Sequence, residues 1–440
     1  MFRTTAALSR SVTAFMSLST GLAGAVLISA APAQAAIIRT DFGLQGTAYG
    51  TSVEGGQLPA TSGKSAFSWI SCTRQAGREA SNHIASANLG DAVEIGAVTS
   101  ANRTWKSATG VHMGSTNSIA SVTIGDPSAQ EGALEVKALE TKAHAWHDDK
   151  GYHARTRSTG FLVATAGTSP IQTNIEQLPV VQVPGQKFEV PLPKSGEFLT
   201  VPGVVTLTSD WTNNVTSRSF GHASVNGLRL DLEATDAMVI VGRAWARVNG
   251  GVPAGVMGGR AFGSELSLLD GSVTSGQTAV KPMPCPGTGG VWKSRSSLGS
   301  TIPGTASIGV TESQVYGKQR TNRSAVAKTR STVAEVTLGD GQVSLNAIVA
   351  QANVNKSRNG DFTKSSNGTS PGTITLDGRT SALPLDGTFP LGDLGRIETN
   401  EVTRSKFGIK VTSVKVTLFN GAAAHSVLHL GNAWTSLRPS

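Results

Sequence analysis

Any chemistry in this sequence has to come from a few short constellations. The first is His144-x-x-His147-Asp148-Asp149, with His153 across a turn. On a hairpin, strand alternation permits a cross-strand imidazole pair beside a carboxylate, a donor set suited to a zinc-like ion. A solvated hairpin tip is the competing expectation. The internal copy described below carries Asn353, Lys356, Ser357 and Arg358 at the positions of His144, His147, Asp148 and Asp149, and no HExxH-type spacing occurs. His144, His147, Asp148 and His153 therefore stand as a weak candidate cluster, and no metal or other cofactor is expected.

The only two cysteines, Cys72 and Cys285, occupy matching positions of the two copies. In an exported chain they can pair, closing a loop of about 200 residues that contributes about 4–5 kcal/mol by chain entropy. Two separately buried thiols fit the same sequence, since free cysteine packs as a small hydrophobe. Gly368-Thr-Ser-Pro-Gly372 has the spelling of a nucleophile elbow, but Pro371 has no N–H to lend an oxyanion hole and no helix pattern follows. A Pro-Gly turn is expected there. Asp231 and Glu233 share a strand face whose reverse side is Leu228, Leu230 and Leu232, so they read as solvated rather than as a glycosidase pair. No catalytic residue is nominated, and the chain is not expected to be an enzyme.

Aromatic residues offer binding instead. Trp146, beside the hairpin tip, is the expected exposed platform for stacking on sugar rings. Trp69 lies in the apolar run Phe67-Ser-Trp-Ile70 and is expected to be buried; Trp245 and Trp434, which match across the copies, are expected in the core. Trp105-Lys-Ser and Trp292-Lys-Ser echo each other at unequal distances from the cysteines.

The elements that must position these residues come in duplicate. Residues 48–72, AYGTSVEGGQLPATSGKSAFSWISC, and 261–285, AFGSELSLLDGSVTSGQTAVKPMPC, align without a gap. Such an echo means one structural unit carried twice. Residues 133–143 are rich in helix formers, yet the copy sets Val343, Leu345 and Ala347 where Leu134, Val136 and Ala138 stand. Both copies then fit period-2 alternation, so a strand is expected. In the strands before, Ala120, Val122 and Ile124 should face one way, as should Ala334, Val336 and Leu338. Gly151 and Gly360 match in the following turns, which need positive φ. The Pro-rich stretch 169–202 excludes central strands. The strands of Leu228–Leu230–Leu232 and Val414–Val416–Leu418, and the two ending in Gly-x-Ala-Trp, should be central. The expected fold is all-β: two tandem homologous antiparallel sandwich or jelly-roll-like units, 36–248 and 260–440, joined by a flexible Gly-rich linker at 249–259.

Residues 1–35 read as a cleaved signal peptide, with Arg3 and Arg10, an apolar run at 21–30 and Ala33-Gln34-Ala35 before the cut. That run is too short to span a bilayer, and no later segment qualifies, so no transmembrane segment is expected after cleavage. The mature chain is expected to be secreted or surface-associated. Without Arg3 and Arg10, 36 basic residues face 29 acidic ones, a surplus of 7. The basic residues are scattered and no nucleic-acid motif occurs, so nucleic acid is not an expected partner. Cell-wall or host glycans and anionic surface polymers suit the surplus, which solubility also explains.

The segment around the first cysteine, with Ala-Tyr-Gly-Thr-Ser, Thr-Ser-Gly and Cys72-Thr73, resembles the choice-of-anchor P family. Those are bacterial, mostly actinobacterial, surface or extracellular proteins whose β-rich body is joined to differing C-terminal anchors. Their biochemical function is not established, so the resemblance implies an exported β protein and brings no catalytic residues. After Trp434 the sequence reads Thr-Ser-Leu-Arg-Pro-Ser, without sorting motif or apolar tail, and release or non-covalent retention is expected. These expectations describe an exported, non-enzymatic structural or adhesive protein; a carbohydrate-binding module or a secreted hydrolase is the alternative.

Overall fold

The structure is a computed structural model and describes residues 37–55, 64–89, 93–125, 132–176, 182–208, 211–233, 237–268, 277–302, 306–339, 341–419 and 426–439. Residues 1–36, with the expected signal peptide and cleavage site, and the two Thr-Ser-Gly segments at 61–63 and 274–276 lie outside the described residues.

Two antiparallel sandwiches follow one another. One sheet of the first runs Gln172–Thr173, Phe198–Val201, Val205–Thr208, Phe220–Leu232, Ala237–Asn249, Ile38–Gly55, Ser68–Ala76. Its facing sheet runs Lys187–Pro191, Gly151–Thr165, Ala133–Asp148, Gly110–Gly125, Val93–Ile95, Ala87–Leu89, with Val98–Lys106 also on Gly110–Gly125 and Glu79–Ile84 beside it. In the second sandwich, one sheet runs Lys281–Pro282, Val256–Leu268, Ser426–Arg438, Gly408–Leu418, Gly395–Ser405, Gly387–Pro390. The other has Lys293–Ser297, Thr311–Gln319, Ala325–Leu338, Val343–Lys356, Thr373–Leu376 and Arg379–Ala382 in order. The strands that close each copy are interior, as their apolar faces require.

The duplication extends to individual hydrogen bonds. Gly50 N–H donates to Ser65 O at 2.8 Å, and Gly263 N–H to Thr278 O at 2.9 Å. Thr51 N–H donates to Ser65 Oγ at 2.8 Å, and Ser264 N–H to Thr278 Oγ1 at 2.9 Å. The glycines of the two Gly-x-Ala-Trp motifs, Gly242 and Gly431, sit mid-strand at φ 69° and 61°. A side chain there is strained, which explains why both copies keep glycine.

Alternation builds the cores, but with a phase slip that the sequence pattern hides. Ala120, Ala138, Ala334 and Ala347, expected on the core face, are all exposed. Ala138 and Ala347 adopt φ 49° and 58°. In the first copy the pairing register jumps between Lys137 and Glu140. The extra residue of a bulge flips the side-chain phase, and Leu139 and Ile348 take over the burial. The first sandwich buries two apolar clusters, one around Leu134, Val136, Leu228 and Val239, the other around Leu44, Met113, Ala145 and Ala244. Buried Ser100, Asn102, Ser115 and Asn117 lie on the same strands; Asn102 Nδ2 donates to Ser68 Oγ at 2.8 Å and Ser115 Oγ to Asn102 Oδ1 at 2.6 Å.

Residues from Ala36 on form one compact unit. Cys72 and Cys285 are bonded, with Cα atoms 5.3 Å apart, and pack with Val252 and Val256. The 249–259 stretch, expected as a flexible linker, is a packed corner. Val252 and Ala254 are buried, Lys356 Nζ donates to Ala254 O at 2.8 Å, and Ala254 N–H donates to Gln319 Oε1 at 3.0 Å. Trp69 and Trp434 meet edge to face at 5.6 Å beside this junction, with the Arg260 guanidinium 5.4 Å from the Trp69 ring. Trp245 and Trp434 are therefore not core residues. Alternation gives the core to Ala244 and Ala433 and turns both indoles outward, where they are half-buried.

Candidate functional site

Of four neighbouring strands of the first sandwich, Val98–Lys106, Gly110–Gly125, Ala133–Asp148 and Gly151–Thr165, the middle two send Val111, Met113, Ala143 and Ala145 inward. The alternate residues point outward, and register decides which of them meet. Trp105 lies opposite His112, His112 opposite Trp146, and Trp146 opposite His153, so one row across four strands consists of rings. The row beside it is Arg103, Gly114, His144 and Arg155.

The strand spacing of about 4.8 Å matches the spacing of stacked rings. Trp105 and His112 lie 4.9 Å apart with planes within 3°, His144 and Trp146 4.7 Å apart within 22°, and Trp146 and His153 4.8 Å apart within 16°. The Arg103 guanidinium caps the Trp105 end at 4.7 Å. Gly114 makes room for the indole, since a Cβ there would come within 3.0 Å of the Trp105 ring. His144 reaches His112, with Nε2 3.2 Å from Nδ1. Their centroids are 5.3 Å apart and their planes 21° apart, so the two imidazoles meet edge to edge, and Trp105 covers both at 4.9 and 5.1 Å.

His112 Nε2 continues the chain to Ser107 Oγ at 2.9 Å. Neutral rings satisfy it in either of two concerted tautomeric arrangements, whereas two imidazolium ions would place N–H against N–H. Burial holds His144 at about 4, helped by His112, Arg103 and Arg155. Burial also lowers His112, against the pull of Asp148. Asp148 ends the row. Burial pushes its carboxyl up, but hydrogen bonds from His153, the Lys150 N–H and Trp146 outweigh that and hold it below the usual range.

The sequence-derived cluster is thus divided. His147 lies on the other side of the sheet, 4.6 Å from Phe42 and 4.4 Å from Tyr152, because three residues along a strand reverse the facing. His153 Nε2 is 2.9 Å from Asp148 Oδ1, while His144 turns to His112. Among the described residues no three His, Cys, Asp or Glu side chains converge as a metal site. Trp146 is half-buried, with His144 on one face and His153 on the other, so it offers no open ring face.

The remaining candidates are engaged locally. Arg229 pairs with Asp231 at 2.9 Å, and Glu233 accepts the Gly203 N–H at 2.8 Å. Ser370 is held in a bridge to Val349, with both backbone bonds at 2.8 Å. Trp292 precedes Lys293–Ser297, which flanks Thr311–Gln319 as Glu79–Ile84 flanks Val98–Lys106, so it is no counterpart of Trp105. The register row matching the rings holds Lys318, Val326, Asn355 and Thr363. Sequence reasoning missed Trp105 and His112. The signal was a repeated spacing: Trp105 to His112 and Trp146 to His153 are each seven apart around a tight turn, which makes each pair cross-strand neighbours.

No family model matches the chain, and no curated protein matches it. A solved structure described as an AttH candidate from Nitrosomonas europaea aligns over 96% of this chain and 100% of its own, at 8% identity and a TM-score of 0.12. A likeness of that size carries no argument about fold or function.

Proposed function

We propose that this chain is an exported structural or adhesive protein of the cell surface, working as one stapled two-sandwich body and not as an enzyme. The observation that carries the reading is the Cys72–Cys285 bond, which ties the two sandwiches together across 213 residues. Such bonds persist in oxidising compartments. That agrees with the signal-type leader and supports export. A covalent tie beside a packed Trp69–Trp434 contact makes mechanical sense in a protein that bears load rather than one that must open around a substrate.

A secreted carbohydrate-binding module is the second reading, favoured by the outward ring row. The adhesive reading is tested with cells lacking the protein, scored for surface attachment before and after purified oxidised protein is added. Loss on deletion and recovery on addition support it. Attachment that is unchanged by deletion counts against it.

A further inference from the structure

We infer that the outer face around Gly114 is a binding site for an anionic polysaccharide, gripped by Arg103, Arg155 and Arg157 beside the ring row. The inference rests on the surface reading only for where such a polymer is met; binding itself is read on purified protein.

The charges come first. Arg103, Arg155 and Arg157 are exposed, and among the described residues Arg155 and Arg157 have no hydrogen-bond or ion-pair partner. The Arg103 guanidinium lies over the Trp105 ring, and among the described residues it has no carboxylate partner. Other cations on the same face are already neutralised, Lys142 by Glu140 at 2.7 Å and Lys137 by Glu135 at 3.0 Å. Glu79, opposite Arg103 in register, forms no ion pair with it. Three unpaired guanidiniums on one face attract an oxyanion, and their planar forks suit carboxylate, sulfate and phosphate alike.

The shape narrows the choice. Arg103 and Arg155 bracket Gly114 and His144 in one register row; Arg157 stands in the next, which holds Lys142, Thr116 and Ala101. Trp105 covers Gly114, and the short side chains Ala101 and Thr116 lie beside it in the next row. The outer arginines are three strands apart, about 14 Å at the backbone. The Arg103 guanidinium is held on the Trp105 ring at that edge, and a chain with repeating charges laid across the sheet can engage all three arginines.

The rings sharpen it further. Both indoles have their faces engaged, Trp105 by His112, His144 and Arg103 and Trp146 by His144 and His153, which leaves their edges, the positive part of an aromatic quadrupole. Among the described residues the Trp105 indole N–H has no hydrogen-bond acceptor. Edges and N–H groups favour oxyanions over the apolar faces of neutral sugars. Burial lowers both His112 and His144, which disfavours charge on the imidazoles and leaves the positive charge of the site to the arginines.

The second sandwich supplies an internal control. Tyr316, Lys328, Asn353 and Ser365 occupy the register row of Arg103, Gly114, His144 and Arg155, and Lys318, Val326, Asn355 and Thr363 occupy that of the rings. The same fold forms without these residues, so the fold does not require them.

The experiment measures binding of purified, oxidised protein to a carboxylate-bearing glycan (polygalacturonate), a sulfate-bearing one (dextran sulfate), a glycerol-phosphate teichoic polymer, neutral dextran and duplex DNA. Salt is varied from about 50 to about 200 mM. At least one anionic glycan should bind and neutral dextran should not. The double variant Arg155→Ala, Arg157→Ala should weaken that binding about tenfold, the loss expected from two charge-assisted contacts. Arg330→Ala, in the matching row of the second sandwich, should leave it within about twofold. The site is wrong if no anionic glycan binds, if the double variant binds as well as the parent, or if neutral dextran or duplex DNA binds as tightly. A failure here leaves the adhesive reading standing, and an unaltered deletion strain leaves the site standing.

Discussion

Removing the bond between the sandwiches, with Cys72→Ala and Cys285→Ala together, should cost a large share of the protein's stability. The bond closes a loop whose ends are 213 residues apart. Chain entropy alone then gives about 5 kcal/mol, against a total of about 5–15 kcal/mol for a folded protein. Each sandwich has its own apolar clusters, so losing the tie should also split one unfolding transition into two. Urea unfolding followed by tryptophan fluorescence reads both effects, because Trp69 and Trp434 face each other at the junction. The unsubstituted protein unfolded with and without reductant separates the loss of the bond from the loss of sulfur packing. A loss below about 1 kcal/mol, with a single unshifted transition, would refute the idea that the bond makes one body of the two halves.

Three further outcomes follow from the same geometry. His144 and His222 are both held at about 4, each by burial first, against 6.5 when free. The unfolded chain therefore takes up these protons more readily, so stability is complete above pH 6.5 and declines as pH falls toward 4. His144→Asn, which installs the residue of the second sandwich, should make Tm fall less steeply across that window; an unaltered slope argues against the assignment. Trp146→Ala removes two ring stacks of about 0.5–1.5 kcal/mol each, and should lower unfolding stability by about 1–3 kcal/mol without creating or abolishing binding to neutral glucans. Gly242→Ala and Gly431→Ala should each cost about 1–2 kcal/mol in chemical denaturation, the cost of a left-handed residue with a Cβ. Substitutions that cost nothing would show that the mid-strand kink is not obligatory.

Much of the fold was legible because the sequence states it twice. The gapless echo from Ala48 to Cys72 predicted equivalent backbone, and the paired Ser65 and Thr278 bonds show why those residues recur. Period-2 alternation identified the Ala133–Asp148 strand despite its helix formers. It failed at Ala138 and Ala347, since a bulge changes phase without any marker when the residue at positive φ is alanine rather than glycine. The tryptophans were misjudged for a related reason. Apolar character cannot tell an inward side chain from one covered by a second sandwich, as at Trp69 and Trp434, and a place beside a hairpin tip does not show that outer-face neighbours cover a ring, as at Trp146. The ring row depends on register across three strand pairings, and a one-residue slip in any of them would dissolve it.

The most direct test of the account is intact mass with thiol titration on protein taken separately from culture medium and washed cells. Export as a stapled body predicts a chain beginning at Ala36, no free thiols, and recovery outside the cytoplasm. A full-length chain with two free thiols, recovered only from the cytosol, would contradict it.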